Sequence, residues 1–124
     1  MSQKTRKIVG WVLTGLLALV FIMSAFMKLT QDEAAVEQAA AFGIDAATYR
    51  TIGIIEVVSL VLFIIPRTGV IGTLLLAAYL GGAIVTHLLH QESVVTPVVI
   101  QCVLWIAAVI RFPELLQRLM PAKV

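Results

Sequence analysis

Charged residues, cysteine and aromatic residues are all scarce in this sequence. Of its 124 residues, 13% are charged, 7% are aromatic and one is cysteine. A lone cysteine excludes a disulfide-stapled secreted scaffold, and the lack of a sizeable basic cluster excludes a nucleic-acid-binding module. Hydrophobic residues make up 60% of the chain, against about half in a soluble domain, which also excludes intrinsic disorder. The mean hydropathy of +1.03 indicates an integral membrane protein without a soluble domain.

Four long apolar runs account for most of the chain. A membrane-spanning helix needs about 20 apolar residues, and we place spans at about residues 8–27, 48–65, 69–89 and 94–112. These spans predict an all-α fold, an antiparallel bundle of four transmembrane helices in a single integral membrane domain over residues 1–124. The first run is longer than the apolar part of a signal peptide and lacks a small-x-small cleavage site, so we expect it to be retained.

The connection between the first two spans carries signals for a short outer helix. Residues 30–33 match a capping box, and residues 34–42 favour helix. Gly43 suits the position that follows a helix end. Asp45 or Thr48 would then cap the second span.

Turn residues predict where the remaining helices begin and end. Residues 66–69 form a tight turn, which makes the second and third spans antiparallel neighbours. The fourth span begins after Ser93 or after Thr96. Beyond Pro113, residues 114–120 place their leucines on one side, which is typical of a helix at a membrane interface.

The third span contains a stripe of small residues at positions 77, 78, 81, 82 and 83. Small residues let two helices approach closely in lipid. We interpret the stripe as packing within the bundle, in preference to a dimer interface.

The distribution of cations predicts the orientation of the chain in the membrane. Only Lys28 and Arg50 lie on the side opposite the termini. The cations on the side of the termini are Lys4, Arg6, Lys7, Arg67, Arg111, Arg118 and Lys123. By the positive-inside rule, both termini are cytoplasmic in a bacterial-type inner membrane. We interpret the cations on that side as topology signals.

Glu56 is the carboxylate that lies deep in an apolar run. It is roughly eight residues, or about 12 Å, from the outer end of its helix. A charge at that depth costs about 2.5–3.5 kcal/mol, so the side chain faces the bundle interior or is protonated. Tyr49 and Gly53 share its helix face. Two interpretations stay open: a site for a ligand or a proton, or a structural bond to a neighbouring helix.

Polar side chains from all four spans fall in the outer half of the predicted bundle, whereas the inner half is nearly all aliphatic. They are Ser24, Lys28, Tyr49, Glu56, Tyr79, Thr86, His87, His90 and Gln101. Their convergence predicts a pocket or polar network that opens outward. Lys28 either turns into the bundle or extends to the membrane interface.

The residues that could hold a cofactor are few. His87 and His90 are three positions apart, and two ligands alone leave a metal incompletely coordinated. Because both histidines lie on one helix, we expect neither a metal nor a bis-histidine haem within one chain. Cys102 stands alone, so the chain cannot form an internal disulfide, and we expect it to fill a gap in the core.

Several short segments resemble the DoxX-like family of small four-span membrane proteins. They are residues 24–29 at the end of the first span, residues 53–56 in the second, Pro66 at the turn, and residues 83–87 in the third. The resemblance extends over roughly residues 8–110.

The resemblance implies a four-helix bundle and, in the members that gave the family its name, a membrane subunit of a thiosulfate:quinone oxidoreductase. A more distant branch is similar to membrane chaperones for ligand-gated channels. By the resemblance, Lys28, Glu56 and His87 match the polar positions of the family. Nothing in the sequence supplies a redox centre.

The leading hypothesis is an accessory subunit of a membrane oxidoreductase system that binds a quinone or a lipid in an outward-facing pocket and is not catalytic on its own. The alternative is a non-enzymatic membrane scaffold or chaperone with a buried structural Glu–Lys pair. Expected partners are the lipid bilayer and either another membrane protein or a second copy, but no nucleic acid. Proton-coupled transport ranks lower because the chain lacks internal repeats.

Overall fold

A computed structural model describes residues 2–121, and this part of the chain folds into helices without any strand. The helices are α1 (Gln3–Leu29), α2 (Glu33–Ala41), α3 (Ala46–Ile64), α4 (Gly69–Leu89), α5 (Val95–Arg111) and α6 (Pro113–Leu119). A 3₁₀ turn at Pro66–Thr68 joins α3 to α4. Lys123, one of the cations used to predict the orientation, lies outside the described residues.

The all-helical bundle is confirmed. Three segments within residues 2–121 are long and apolar enough to cross a membrane: α1, α3 and Pro66–Leu89, which contains α4. α5 alone has 17 residues, which is slightly shorter than the minimum of 18 residues for a span. A fourth crossing is therefore counted only when α5 and α6 are taken together as one bent span. These two helices meet at 110°. α1 and α4 each pack against both α3 and α5, so the four helices form a ring.

The centre of the ring is apolar. Its buried side chains are Leu17, Phe21, Leu60, Phe63, Leu76, Leu80, Leu104, Ala107, Ala108 and Phe112. Large apolar side chains such as Ile22, Leu74 and Ile106 are more than half exposed on the outside. An apolar outer surface of this kind suits lipid. Cys102, expected in the core, is exposed as well.

The two ends of the bundle differ, and we name them by their connections. The α2 end carries α2 and the α4–α5 loop, and the terminal end carries the 3₁₀ turn and the start of α1. Within the bundle, the buried Thr14, Ser59 and Thr73 donate to carbonyls four residues earlier in their own helices, at 2.8, 2.7 and 2.8 Å. The inner half of the bundle, which we predict to be nearly all aliphatic, therefore contains hydroxyl groups. Each of these hydroxyls donates its proton to a carbonyl of its own helix.

Side chains cap the first turns of α1, α2 and α3, whereas α4, α5 and α6 have no side-chain cap within residues 2–121. The Asp32 side chain, not Thr30, caps α2 by accepting from the Ala35 amide at 3.2 Å. The predicted capping box is wrong because α1 continues to Leu29 and takes Thr30 as its own C-terminal cap. Gly43 has the positive φ of 80° expected after a helix end.

Asp45 caps α3, as one of the two alternatives predicted. Its carboxylate accepts from the Thr48 amide at 2.8 Å. The side-chain and backbone hydrogen bonds from Thr48 lower the pKa of Asp45 from its ordinary value of 3.8. α5 begins at Val95, near the start expected with Ser93 as the cap, but its cap residue is Val94 and, within residues 2–121, no side chain caps the helix. The Ser93 hydroxyl accepts from the Val95 amide at 3.3 Å.

Two of the arginines used to predict the orientation also donate hydrogen bonds to backbone carbonyls at the carboxyl ends of helices. Arg111 donates to the carbonyls of Phe63 and Ile64 at the end of α3, both at 2.9 Å. Its guanidinium also lies 4.4 Å from the centroid of the Trp11 ring. Arg6 donates to two carbonyls in the last turn of α5, at 3.0 and 3.1 Å. The last carbonyls of a helix lack intrahelical partners and carry partial negative charge, so both cations stabilise the terminal end.

Glycines permit the closest approach of helices at the terminal end. A Cβ atom added to Gly72 would lie 2.1 Å from the α3 backbone, and one on Gly69 would lie 1.9 Å from the Phe112 ring. Nothing lies within 4 Å of such an atom on Gly81 or Gly82. The interpretation of the small-residue stripe as packing within the bundle therefore fails at Gly81 and Gly82, which have open space beside them.

Candidate functional site

An ion pair between α1 and α3 lies at the centre of the candidate site. Lys28 Nζ is 3.3 Å from Glu56 Oε1, and Glu56 is fully buried. Of the two positions considered for Lys28, the structure has the inward one. Gly53, one turn from Glu56, makes this possible, because a Cβ atom there would lie 2.8 Å from the Lys28 Cβ. The missing side chain leaves room for the lysine stem to pass α3.

Ser24 connects the two charged groups. Its hydroxyl accepts from Lys28 Nζ at 2.6 Å and lies 3.3 Å from Glu56 Oε1, to which it donates. Ser24 and Lys28 are four residues apart and so share one face of α1. The Glu56 Oε1 atom therefore has two partners, and the lysine and the serine act on the same side of the carboxylate.

Two tyrosines flank the lysine. Lys28 Nζ lies 5.5 Å from the centroid of the Tyr49 ring and 5.8 Å from that of Tyr79. These distances are within the range of cation–π attraction. Phe21 meets Tyr79 edge to face, with the centroids 6.2 Å apart, which holds the Tyr79 ring against α1.

Two cavities meet at this cluster and share a wall made by Lys28, Tyr79, Ala83 and His87. The first cavity, about 540 Å³, lies between α3 and α4 and has mostly apolar walls. It is lined in addition by Phe42, Ile44, Tyr49, Ile52, Ile55, Leu75, Ala78, Gly82 and Thr86. Three of the small residues of α4, Ala78, Gly82 and Ala83, thus line a cavity, whereas Ala77 packs against the core.

The second cavity, about 460 Å³, lies among α1, α4 and α5 and is bordered by both members of the ion pair. Its other lining residues are Val20, Phe21, Ser24, Glu56, Leu80, Ser93, Thr96, Pro97 and Ile100. Lys28 and Glu56 both border the second cavity, and Lys28 also borders the first, so the lysine lies between the two cavities.

Three buried polar atoms have no hydrogen-bond partner among the residues that the structure describes. They are Glu56 Oε2, His87 Nδ1 and Gln101 Oε1. A buried polar atom without a partner is costly, so each of these is a candidate point of contact for a bound group. Glu56 and His87 line the same cavity, whereas Gln101 lines neither.

The structure brings together seven of the nine side chains predicted for the polar network and separates two. The seven that border the cavities are Ser24, Lys28, Tyr49, Glu56, Tyr79, Thr86 and His87. Gln101 instead donates to the Ala77 carbonyl at 3.2 Å. His90 is exposed, and its Nδ1 lies 2.9 Å from the Thr86 carbonyl.

Phe42 is a site residue that sequence reasoning missed. Its ring meets that of His87 edge to face at 6.0 Å and lies 4.7 Å from that of His90. It follows α2 directly, so the short helix positions an aromatic side chain over the first cavity. No pattern in the sequence distinguishes this phenylalanine from the lipid-facing ones.

Metal-binding groups of three or more His, Cys, Asp or Glu side chains are not found within residues 2–121. The site as it stands therefore offers an ion pair, hydroxyl groups, an imidazole and apolar walls.

Comparison with known proteins identifies one relationship. The model of the DoxX-like family matches residues 12–110, which is most of the chain and includes the whole site. No curated protein and no solved structure matches the chain.

Proposed function

The chain belongs to the DoxX-like family of membrane proteins, and we propose that it binds a small amphipathic ligand, a quinone or a lipid, in the two cavities beside the Lys28–Glu56 pair. In this proposal it is an accessory subunit of a membrane oxidoreductase system and does not catalyse a reaction on its own. It resides in a bacterial-type inner membrane with both termini in the cytoplasm, so that the α2 end faces outward.

The juxtaposition of the two cavities at one ion pair carries the proposal. Each has a volume within the usual range of about 300–1,000 Å³ for small-molecule sites. The apolar cavity suits a hydrocarbon tail or ring, and the polar cavity suits a head group. Ile55 and Leu75, which line the apolar cavity, are at least 40% exposed on the bundle surface. A ligand could therefore enter sideways from the bilayer, between α3 and α4.

Two adjacent glycines provide a matched test of binding in the apolar cavity. Gly82 lines this cavity and Gly81 does not, while neither has an atom within 4 Å of an added Cβ. Gly82→Leu should fill the cavity, and Gly81→Leu should make the same change in helix propensity outside it.

The test measures thermal unfolding of the full chain in detergent with decylubiquinone or with a short-chain phosphatidylglycerol. We expect at least one probe to raise the Tm of the unsubstituted protein and of Gly81→Leu, but not that of Gly82→Leu. Equal shifts in all three proteins, or a shift in none, would argue against binding in this cavity.

A second candidate function is that of a non-enzymatic scaffold or chaperone in which the Lys28–Glu56 pair is structural. The observation in its favour is that the Lys28–Glu56 ion pair and the hydrogen bond from Ser24 to Glu56 join α1 to α3. In this case the partner is another membrane protein or a second copy of the chain. Mild-detergent purification should then yield a stoichiometric protein partner, and the glycine variants should bind it equally.

A further inference from the structure

Glu56 lines the second cavity, and one of its carboxylate oxygens is buried without a hydrogen-bond partner in residues 2–121. Glu56 Oε1 already accepts from Lys28 and Ser24, each at 3.3 Å. Glu56 Oε2 has no partner within the described part of the chain. An ionised carboxylate is an acceptor only, so a group that binds at Oε2 must donate a proton.

His87 supplies a second atom of the same kind at the same cavity. Its Nδ1 is buried and without a partner in residues 2–121. The Phe42 ring meets the imidazole edge to face at 6.0 Å, which restricts its rotation. With a proton on Nδ1, this nitrogen is a donor.

One acceptor and one donor at a single cavity match the hydrogen-bonding capacity of a hydroxyl group. A hydroxyl has one proton to give and lone pairs to accept with. A ketone or an ether could accept from His87 but would leave Glu56 Oε2 unpaired. An ammonium group could donate to Glu56 but would add a second cation near Lys28 Nζ.

We propose that this cavity selects ligands that carry a hydroxyl group, an alcohol or a phenol, with the O–H donating to Glu56 Oε2 and the oxygen accepting from His87 Nδ1. This inference rests on the proposed function and narrows its ligand to a quinol or a hydroxyl-bearing lipid, because a quinone has no hydroxyl proton to donate. The apolar part of such a ligand occupies the adjoining cavity lined by Gly82.

A pair of probes that differ only at the oxygen tests the inference. 4-Decylphenol has the hydroxyl, and 4-decylanisole has a methoxy group in its place. Binding is measured by titration of the full chain in detergent micelles, with correction for partition into the micelles. We expect the phenol to bind about tenfold more tightly, which corresponds to about 1.4 kcal/mol.

The two histidines of the chain allow the contact to be observed without any substitution. In protein labelled with ¹⁵N-histidine, 4-decylphenol should shift the Nδ1 resonance of His87 further than 4-decylanisole does, because the bond to Glu56 holds the phenol oxygen in place. His90 lines neither cavity and is the internal control. The substitution Glu56→Gln should lower the preference for the phenol over the anisole.

Three results would overturn the inference. Equal affinity for both probes, with the His87 resonance unmoved, would refute hydroxyl recognition while leaving amphiphile binding intact. An equal shift of both histidines would place the phenol outside the cavity. Binding of neither probe, nor of the quinone and lipid probes, would refute the proposed function together with the inference.

Discussion

Removal of Lys28 should destabilise the bundle much more when Glu56 is present than when Glu56 has been replaced by the neutral glutamine. Glu56 is fully buried and bonded to Lys28 and Ser24, so the variant Lys28→Met leaves a buried charge with one hydroxyl partner. Loss of one partner from a buried pair typically costs about 3–5 kcal/mol, and we expect that range here.

Replacing Glu56 instead of Lys28 should lower the free energy of unfolding by a smaller amount. In Glu56→Gln, the lysine ammonium keeps the Ser24 hydroxyl and carbonyl as acceptors, at 2.6 and 3.4 Å. Lys28 is also in the last turn of α1, so its flexible stem can carry the charge to the interface. We expect a loss of about 1–2 kcal/mol for Glu56→Gln and about 2 kcal/mol for the double variant. The resulting coupling energy is about 3 kcal/mol.

The assay is reversible unfolding of the four proteins in mixed micelles, followed by helical circular dichroism during titration with sodium dodecyl sulfate. Arg50→Met is the matched control, because Arg50 is an exposed cation near the same end of the bundle and should change stability by less than about 0.5 kcal/mol. A coupling energy below about 0.5 kcal/mol would show that the two side chains do not interact and would refute the reasoning.

Three further predictions concern the ends of the helices and the orientation of the chain. Arg111→Lys cannot keep both hydrogen bonds to the end of α3 and should lower the free energy of unfolding by about 2–3 kcal/mol in the same assay; an unchanged value would contradict the capping role. Because the folded-state pKa of Asp45 is lowered, its capping contribution is fully present above pH 3.8 and is lost as the pH falls through the folded-state value, so the stability difference from Asp45→Asn should narrow below pH 3.8. In a Cys102→Ser background, an impermeant maleimide should label Glu37→Cys in intact cells and Thr5→Cys only after permeabilisation; the opposite pattern would reverse the proposed topology.

Much of the helical framework could be predicted because its signals act over a few residues. The third span was placed at residues 69–89, where α4 lies at Gly69–Leu89. Asp45 was one of two predicted caps and is the observed one. The error at Thr30 has a local cause too. Thr30 and Asp32 are both good capping residues, and only the point at which α1 ends decides between them.

The candidate site was predictable in part. Tyr49, Gly53 and Glu56 share a face because helix geometry requires it, and that face does meet Lys28. Gln101 was grouped with them on depth alone, but depth does not specify how a helix is rotated. The structure turns Gln101 to the Ala77 carbonyl instead. Phe42 joins the site through the packing of α2, which no local pattern encodes.

The sequence by itself determined that the chain is helical, where its apolar segments lie and that its polar groups concentrate toward one end, because hydropathy and helix caps depend on neighbouring residues. Only the tertiary structure decided that Lys28 points inward past Gly53, that Arg111 binds the end of α3, and that Gly82 of α4 borders a cavity. These features depend on how helices distant in sequence are rotated and spaced against one another. Contacts between separate helices decide that arrangement, and no single segment contains them.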